Sequence, residues 1–133
     1  MEKSNLVFDA NLIAQAGHDD ASGYQAMKRL LAGKRRPDGV FGFNDPVAAG
    51  AMRAILEAGL SIPGDIAVIG AANMHYADMF RVPLSTVDQG TAAMGEEAAR
   101  LLLAGMTARK PVPPREILLP PRLIVRASSR RYS

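Results

Sequence analysis

The residues in this chain that could do covalent chemistry are few. Two histidines stand beside carboxylates, His18 with Asp19 and Asp20, and His75 with Asp78. Such a pair can move a proton once a nucleophile or a metal completes it. No motif for either accompanies these pairs. The sequence has no nucleophile-elbow glycine pattern, no phosphate-binding Gly-Lys loop and no HExxH. With no cysteine, thiol chemistry, disulfides and a Cys-based zinc site are all excluded. Residues 64–70, GDIAVIG, read as a turn and a strand rather than a dinucleotide fingerprint. The expectation is a protein that is not an enzyme and needs no cofactor or metal. Its chemistry is non-covalent recognition, and the polar groups best spaced for that are Asn44-Asp45 and Asn73, each following a short apolar run.

Those apolar runs belong to one unit spanning residues 40–73. Residues 40–43, VFGF, form a short strand-like run that Asn44-Asp45 ends. Asp45 is placed as an N-cap, and Pro46 stands at the first helical position, where its missing N–H is harmless. Val47, Ala51, Ile55 and Ala58 recur at helical spacing, and Gly59 supplies the stop. A turn at Ile62-Pro63-Gly64-Asp65 leads to a second buried run at 66–69. Two apolar strands joined by a helix are parallel with a right-handed crossover. Ligands of such sheets bind beyond the carboxyl ends of the strands. Here those ends are Asn44-Asp45 and Gly70-Ala71-Ala72-Asn73.

The rest of the chain extends the alternation. Residues 1–11 form an irregular N-terminal segment, and 12–16 a short first strand. Asp20 or Ser22 caps a helix whose apolar face is Tyr24, Met27, Leu30 and Leu31. Residues 75–81 suggest a short helix before Pro83, and 85–87 an extended crossover. Met94, Ala98, Leu101 and Leu102 mark a helix over 94–104, closed by Gly105. A proline-rich connector at 110–114 precedes two short strands, 117–119 and 123–125, separated by Pro120-Pro121. The order strand, helix, strand, helix, strand predicts an α/β fold with a mainly parallel sheet. The 133 residues suffice for one domain, with 48% hydrophobic and 22% charged residues. A net charge of +3, with basic residues gathered at Lys34-Arg35-Arg36 and at Arg122, Arg126, Arg130 and Arg131, fits a solvated turn and tail. Few aromatics and no Trp leave little base-stacking surface, so nucleic-acid binding by these residues is not expected. No signal-peptide core and no membrane-length apolar run is present, which predicts a cytoplasmic protein.

The pattern FNDxxAxGAxRAxxEAGLxxPxDIxVxG at 43–70, followed by PLSTVDQ at 83–89, resembles the effector-binding domain of the LacI/GalR family of transcription regulators. The resemblance covers residues 12–128 and leaves 129–133 as a tail. It implies a three-layer α/β lobe, the C-terminal part of a periplasmic-binding-protein-like type I fold, with the 94–104 helix belonging to an N-terminal lobe whose sequence is not in these residues. The helix-turn-helix that binds DNA is likewise outside them. That helix face then lacks its partner sheet, so it packs differently, exchanges between chains or supports a dimer.

The resemblance also implies site residues. His18 matches a position that stacks on the ring of a sugar or purine, Asn44 one that hydrogen-bonds sugar hydroxyls, and Gln89 a polar contact near the hinge. After Gly70, relatives carry an aromatic residue and then an acidic one that grips the effector. Here Ala71 and Ala72 stand instead, leaving Asn73 as the polar side chain of that turn. Losing a carboxylate removes charge-assisted hydrogen bonds. Either the effector differs, being more apolar or itself anionic, or the site no longer binds. Tyr24, Ala49 and Phe80 match the dimer contact of the C-terminal lobe, although Tyr24 and Phe80 also read as core residues. The implied function is the effector-sensing and dimerising part of a regulator, with a small molecule, a second copy and DNA (through the helix-turn-helix) as partners and no membrane. A transporter's sugar-binding protein and a ligand-free interaction module are the alternatives.

Overall fold

A computed structural model describes residues 8–108 and 113–130. Residues 1–7, 109–112 and 131–133 lie outside the described residues, and with them most of the irregular N-terminal segment, part of the proline-rich connector and the end of the tail. The elements run α1 (Asp20–Leu31), β1 (Gly39–Phe41), α2 (Asp45–Glu57), β2 (Ala67–Ala71), β3 (Ser85–Asp88), α3 (Thr91–Thr107) and β4 (Arg122–Ile124). One sheet has the order β1-β2-β3-β4. β1, β2 and β3 are parallel, with Phe41 opposite Ile69 and Ile69 opposite Ser85, while β4 returns antiparallel to β3. The mainly parallel α/β sheet inferred from the alternation is therefore present.

Two helices cover one face of this sheet. Met27 of α1 and Ile55 of α2 meet Ile66, Val68 and Leu84 in a fully buried core. α1 and α2 touch backbone to backbone at two glycines. A Cβ on Gly50 would lie 1.9 Å from the carbonyl oxygen of Asp20, and one on Gly23 would lie 2.2 Å from that of Val47. Only glycine lets the helices approach this closely. α3 differs: none of its residues is buried, and Met94, Leu102, Leu103 and Met106 are exposed. Its amphipathic sequence encodes a helix, now running 91–107 through Gly105, without a covering surface among the described residues.

Several local expectations need correction. The strand expected at 12–16 is not in the sheet. A 3-10 turn occupies Ala10–Leu12, Ile13 continues in extended backbone (φ −107°, ψ 123°), and β1 is the edge strand. Ile13, Ala14 and Ala16 instead line an apolar cleft of about 200 Å³ together with Met27 and Leu30 of α1, Val47 and Ala51 of α2, and Val40, Phe41 and Phe43. Residues 75–81 make turns instead of a helix, with i→i+3 bonds from Ala77 N–H to Met74 O and from Met79 N–H to Tyr76 O. Residues 117–119 are irregular and largely exposed, because Pro120-Pro121 can donate nothing to a ladder. The N-caps shift by one residue. Asp19 caps α1, its Oδ1 accepting from Ser22 N–H at 2.8 Å, and Asn44 rather than Asp45 caps α2, its Oδ1 accepting from Val47 N–H at 2.8 Å.

Candidate functional site

The parallel strands deliver their carboxyl ends to one edge of the sheet, and the residues singled out for recognition gather there. His18 precedes α1 and is exposed; its ring meets Phe43 edge-on, with centroids 5.2 Å apart. Asn44 follows β1 and is half-buried. While its Oδ1 caps α2, its Nδ2 donates to the carbonyl oxygen of His18 at 3.0 Å. Asn44 thus fixes the turn that presents His18, so these two residues form one unit.

Asn73 follows β2, where the backbone turns left-handed at Ala72 (φ 106°) and again at Asn73 (φ 49°). Both are uncommon for residues with a Cβ. The Asn73 amide is engaged at both ends: Oδ1 accepts from Arg126 Nη2 at 2.9 Å, and Nδ2 donates to Asp88 Oδ2 at 3.4 Å. Asp88 ends β3, and its Oδ1 accepts from Gly90 N–H at 2.8 Å. That backbone hydrogen bond, followed by Asn73 and Arg122, holds the Asp88 carboxyl below its ordinary range. Gln89 is exposed at the next position, where the chain leaves the sheet for α3. Sequence spacing missed Asp88, Arg126 and Phe43. Asp88 and Phe43 stand inside the motifs quoted above, but Arg126 reaches Asn73 from 53 positions away, and local pattern carries no trace of that.

Beneath this edge lies a buried polar node. Asp45 is fully buried; its Oδ1 accepts from Thr86 Oγ1 at 2.6 Å and its Oδ2 from Met74 N–H at 2.7 Å. A second network pins the C-terminal segment: Ser128 Oγ donates to Val68 O at 2.6 Å, and Ser85 N–H donates to Ser128 Oγ at 2.8 Å. Arg126 adds a bond from Nη1 to Leu84 O at 2.7 Å.

The other set of residues, Tyr24, Ala49 and Phe80, falls on a separate face. Ala49 and Phe80 line an apolar groove of about 390 Å³ together with Met52, Leu56 and Val82, and Arg53 and Glu57 form its polar margin. Tyr24 joins that margin: its hydroxyl donates to Glu57 Oε2 at 2.6 Å, and the Arg53 guanidinium lies 4.5 Å from its ring centre. The bond to Glu57 raises the Tyr24 pKa above its ordinary value. Tyr24 and Phe80 are half-buried and pack on the core with one side, so each serves core and surface together. The remaining histidine, His75, rests edge-on against Tyr76. Among the described residues no cluster of three potential metal ligands occurs, and no helix is long and apolar enough to cross a membrane.

Known proteins resemble this chain in sequence and in fold. Residues 1–129 match the periplasmic binding protein-like domain. The chain is 36% identical over 133 residues to the HTH-type transcriptional repressor PurR of Mannheimia succiniciproducens, covering 100% of this chain and 40% of that protein. To the repressor of the same name from Escherichia fergusonii it is 38% identical over 128 residues, covering 96% of this chain and 37% of that one. Among solved structures, the transcriptional regulator CelR–cellobiose complex aligns with a TM-score of 0.87 at 31% identity, over 96% of this chain and 39% of that one. A LacI family transcriptional regulator from Enterococcus faecium with bound ribose aligns with a TM-score of 0.77 at 31% identity, over 87% of this chain and 42% of that one. The chain spans about two fifths of the curated relatives it matches, 40% of the first. It belongs to the periplasmic binding protein-like domain family, in the form that LacI-family regulators carry as their effector-binding domain, and it corresponds to part of that domain.

Proposed function

We propose that this chain is the effector-sensing and dimerising part of a LacI-family transcription regulator. In that reading residues 12–128 are the C-terminal part of the effector-binding domain, and the 91–107 helix serves the complementary lobe. A small molecule, a sugar or related metabolite, binds at the carboxyl edge of β1, β2 and β3. His18 contributes a stacking face and Gln89 a polar contact. Asn44 and Asn73 shape the site, each with part of its amide committed to the protein and part left to meet a ligand. Binding between two lobes stabilises one orientation of them, and that orientation is what the DNA-binding helix-turn-helix elsewhere in the regulator reads. A second copy docks on the groove flanked by Tyr24, Ala49 and Phe80. The regulator works in the cytoplasm and not as an enzyme.

The observation that carries this reading is that His18, Asn44, Asn73 and Gln89 all lie at the carboxyl edge of a parallel sheet, where open α/β sheets take their ligands. Ribose, cellobiose, sucrose and a purine base, each at millimolar concentration, form the test panel for thermal unfolding of the native polypeptide. A ligand at a hundred times its Kd adds about 2.7 kcal/mol to stability. The expected result is a raised Tm with one chemical class and its loss in His18→Ala. A Tm unmoved by every compound overturns the sensing role. The alternative, a ligand-free interaction module, is favoured by the replacement of an acidic grip by Ala71 and Ala72 beside an open apolar groove.

A further inference from the structure

Asp45 is a buried carboxylate to which the ligand reading gives no part. Its two oxygens reach two other segments, Thr86 in β3 and Met74 after β2. The Thr86 hydroxyl, having donated to Asp45, accepts from Asn73 N–H at 3.2 Å. Two consecutive backbone N–H groups, at Asn73 and Met74, therefore hang on one carboxylate, the first through a hydroxyl and the second directly. They follow Ala72, whose φ of 106° is strained for a residue with a Cβ, and Asn73 is itself left-handed. Such backbone persists only where its surroundings over-determine it. Gly70 belongs to the same device, because a Cβ there would lie 2.3 Å from Asp45 Oδ1. Asp45 stands at the first position of α2, directly after its cap Asn44, so the carboxylate is anchored to the start of a regular helix.

We propose that Asp45 is a positioning residue that holds residues 72–74 in their left-handed turn and ties that turn, through Thr86, to the strand leading out of the sheet. Any force on the turn is then felt at β3, and through Asp88 and Gly90 at the start of α3. The effector reading enters only in naming what presses on the turn. The holding role is testable without a ligand, so the two fail separately.

The measurement is amide hydrogen exchange by NMR on the protein and on Thr86→Val, Thr86→Ser and Asp45→Asn. Thr86→Val keeps shape and removes only the hydroxyl, and Thr86→Ser keeps the hydroxyl. Exchange at Asn73 and Met74 is expected to quicken about ten- to a hundredfold relative to Ile55 in Thr86→Val. Thr86→Ser should restore the protection. A folded Asp45→Asn should behave like Thr86→Val, with Met74 the more affected. Loop amides that follow Ile55 in Thr86→Val show a purely structural contribution and overturn the proposal, as does a Thr86→Ser variant that fails to restore them. Should Asp45→Asn not fold, the Thr86 pair decides.

Discussion

Gly50→Ala sets two effects of known size against each other. In an exposed helix interior alanine is better than glycine by about 1 kcal/mol. In α2 the new Cβ would lie 1.9 Å from Asp20 O and 2.6 Å from Tyr24 N, both backbone atoms that no rotamer change can move. Relief needs α1 to retreat by roughly 1.5 Å, in an interior packed without slack. Overpacking of this kind costs about 1–3 kcal/mol and more where the backbone must shift, so the clash wins. The same retreat lengthens the Asn44–His18 bond, because Asn44 opens α2 and His18 leads into α1. Urea unfolding should show Gly50→Ala destabilised by about 2 kcal/mol with an unchanged m value. Gly95→Ala in α3 is the control, since its Cβ would meet nothing within 4 Å. It should raise helicity by circular dichroism without moving the core transition. A Gly50→Ala protein as stable as the parent would refute the close helix contact and the packing argument built on it.

Four further outcomes follow from the geometry. Asn44→Ala should lose about 1 kcal/mol in urea unfolding through the α2 cap. Asn44→Asp keeps the cap oxygen, so it should recover most of that while leaving the His18 carbonyl without its donor. Ala72→Gly should raise stability by about 1 kcal/mol, because relief of the φ of 106° outweighs the added freedom of the unfolded chain; a loss would show that Ala72 is unstrained. The carboxyls of Asp19, held down first by Ser22, and of Asp88, held down first by Gly90, should titrate below 3.8 by NMR. A depressed folded pKa contributes stability above the unfolded value that disappears as pH falls through the folded one, so both contributions fade below about pH 4. Phe80→Glu should shift a sedimenting dimer to monomer without changing the circular dichroism spectrum, and an unshifted dimer would exclude the groove as the interface.

Local grammar made β1, α2 and β2 legible. Apolar runs of strand length, a capping position, Pro46 and a C-terminal Gly59 all lie within a few residues of the bonds they direct. Gly59 does take positive φ, at 76°. The identity of the α2 cap was a closer contest, since Asn44 and Asp45 are both good caps. Asp45 lost because its carboxylate has partners 29 and 41 positions away, at Met74 and Thr86. The 12–16 segment has strand composition, yet composition cannot supply a hydrogen-bonded neighbour, and β1 does not provide one. Residues 75–81 failed as a helix for the opposite reason: Asp45 and Leu84 take Met74 N–H and Ala77 O into tertiary bonds. At the α2 cap and over residues 75–81, long-range bonds decide what short-range pattern misreads.

That division also bears on the candidate site. Each polar residue nearest the sheet's edge is tied inward by a bond invisible to local pattern, Asn44 to His18, Asn73 to Arg126 and Asp88, and Asp45 to Thr86 and Met74. Amides and carboxylates so tied lose little entropy when a ligand arrives, because their rotamers are already fixed. They are correspondingly poor at adapting to a new ligand. In the proposed sensing role, discrimination between effectors would therefore fall to the exposed side chains at the edge, His18, Phe43 and Gln89. With alanines at positions 71 and 72, apolar contact and stacking would contribute more of that discrimination than charge. An effector that presents a flat ring face should accordingly bind more tightly than an equally hydroxylated acyclic one, and the order of their Tm shifts checks it.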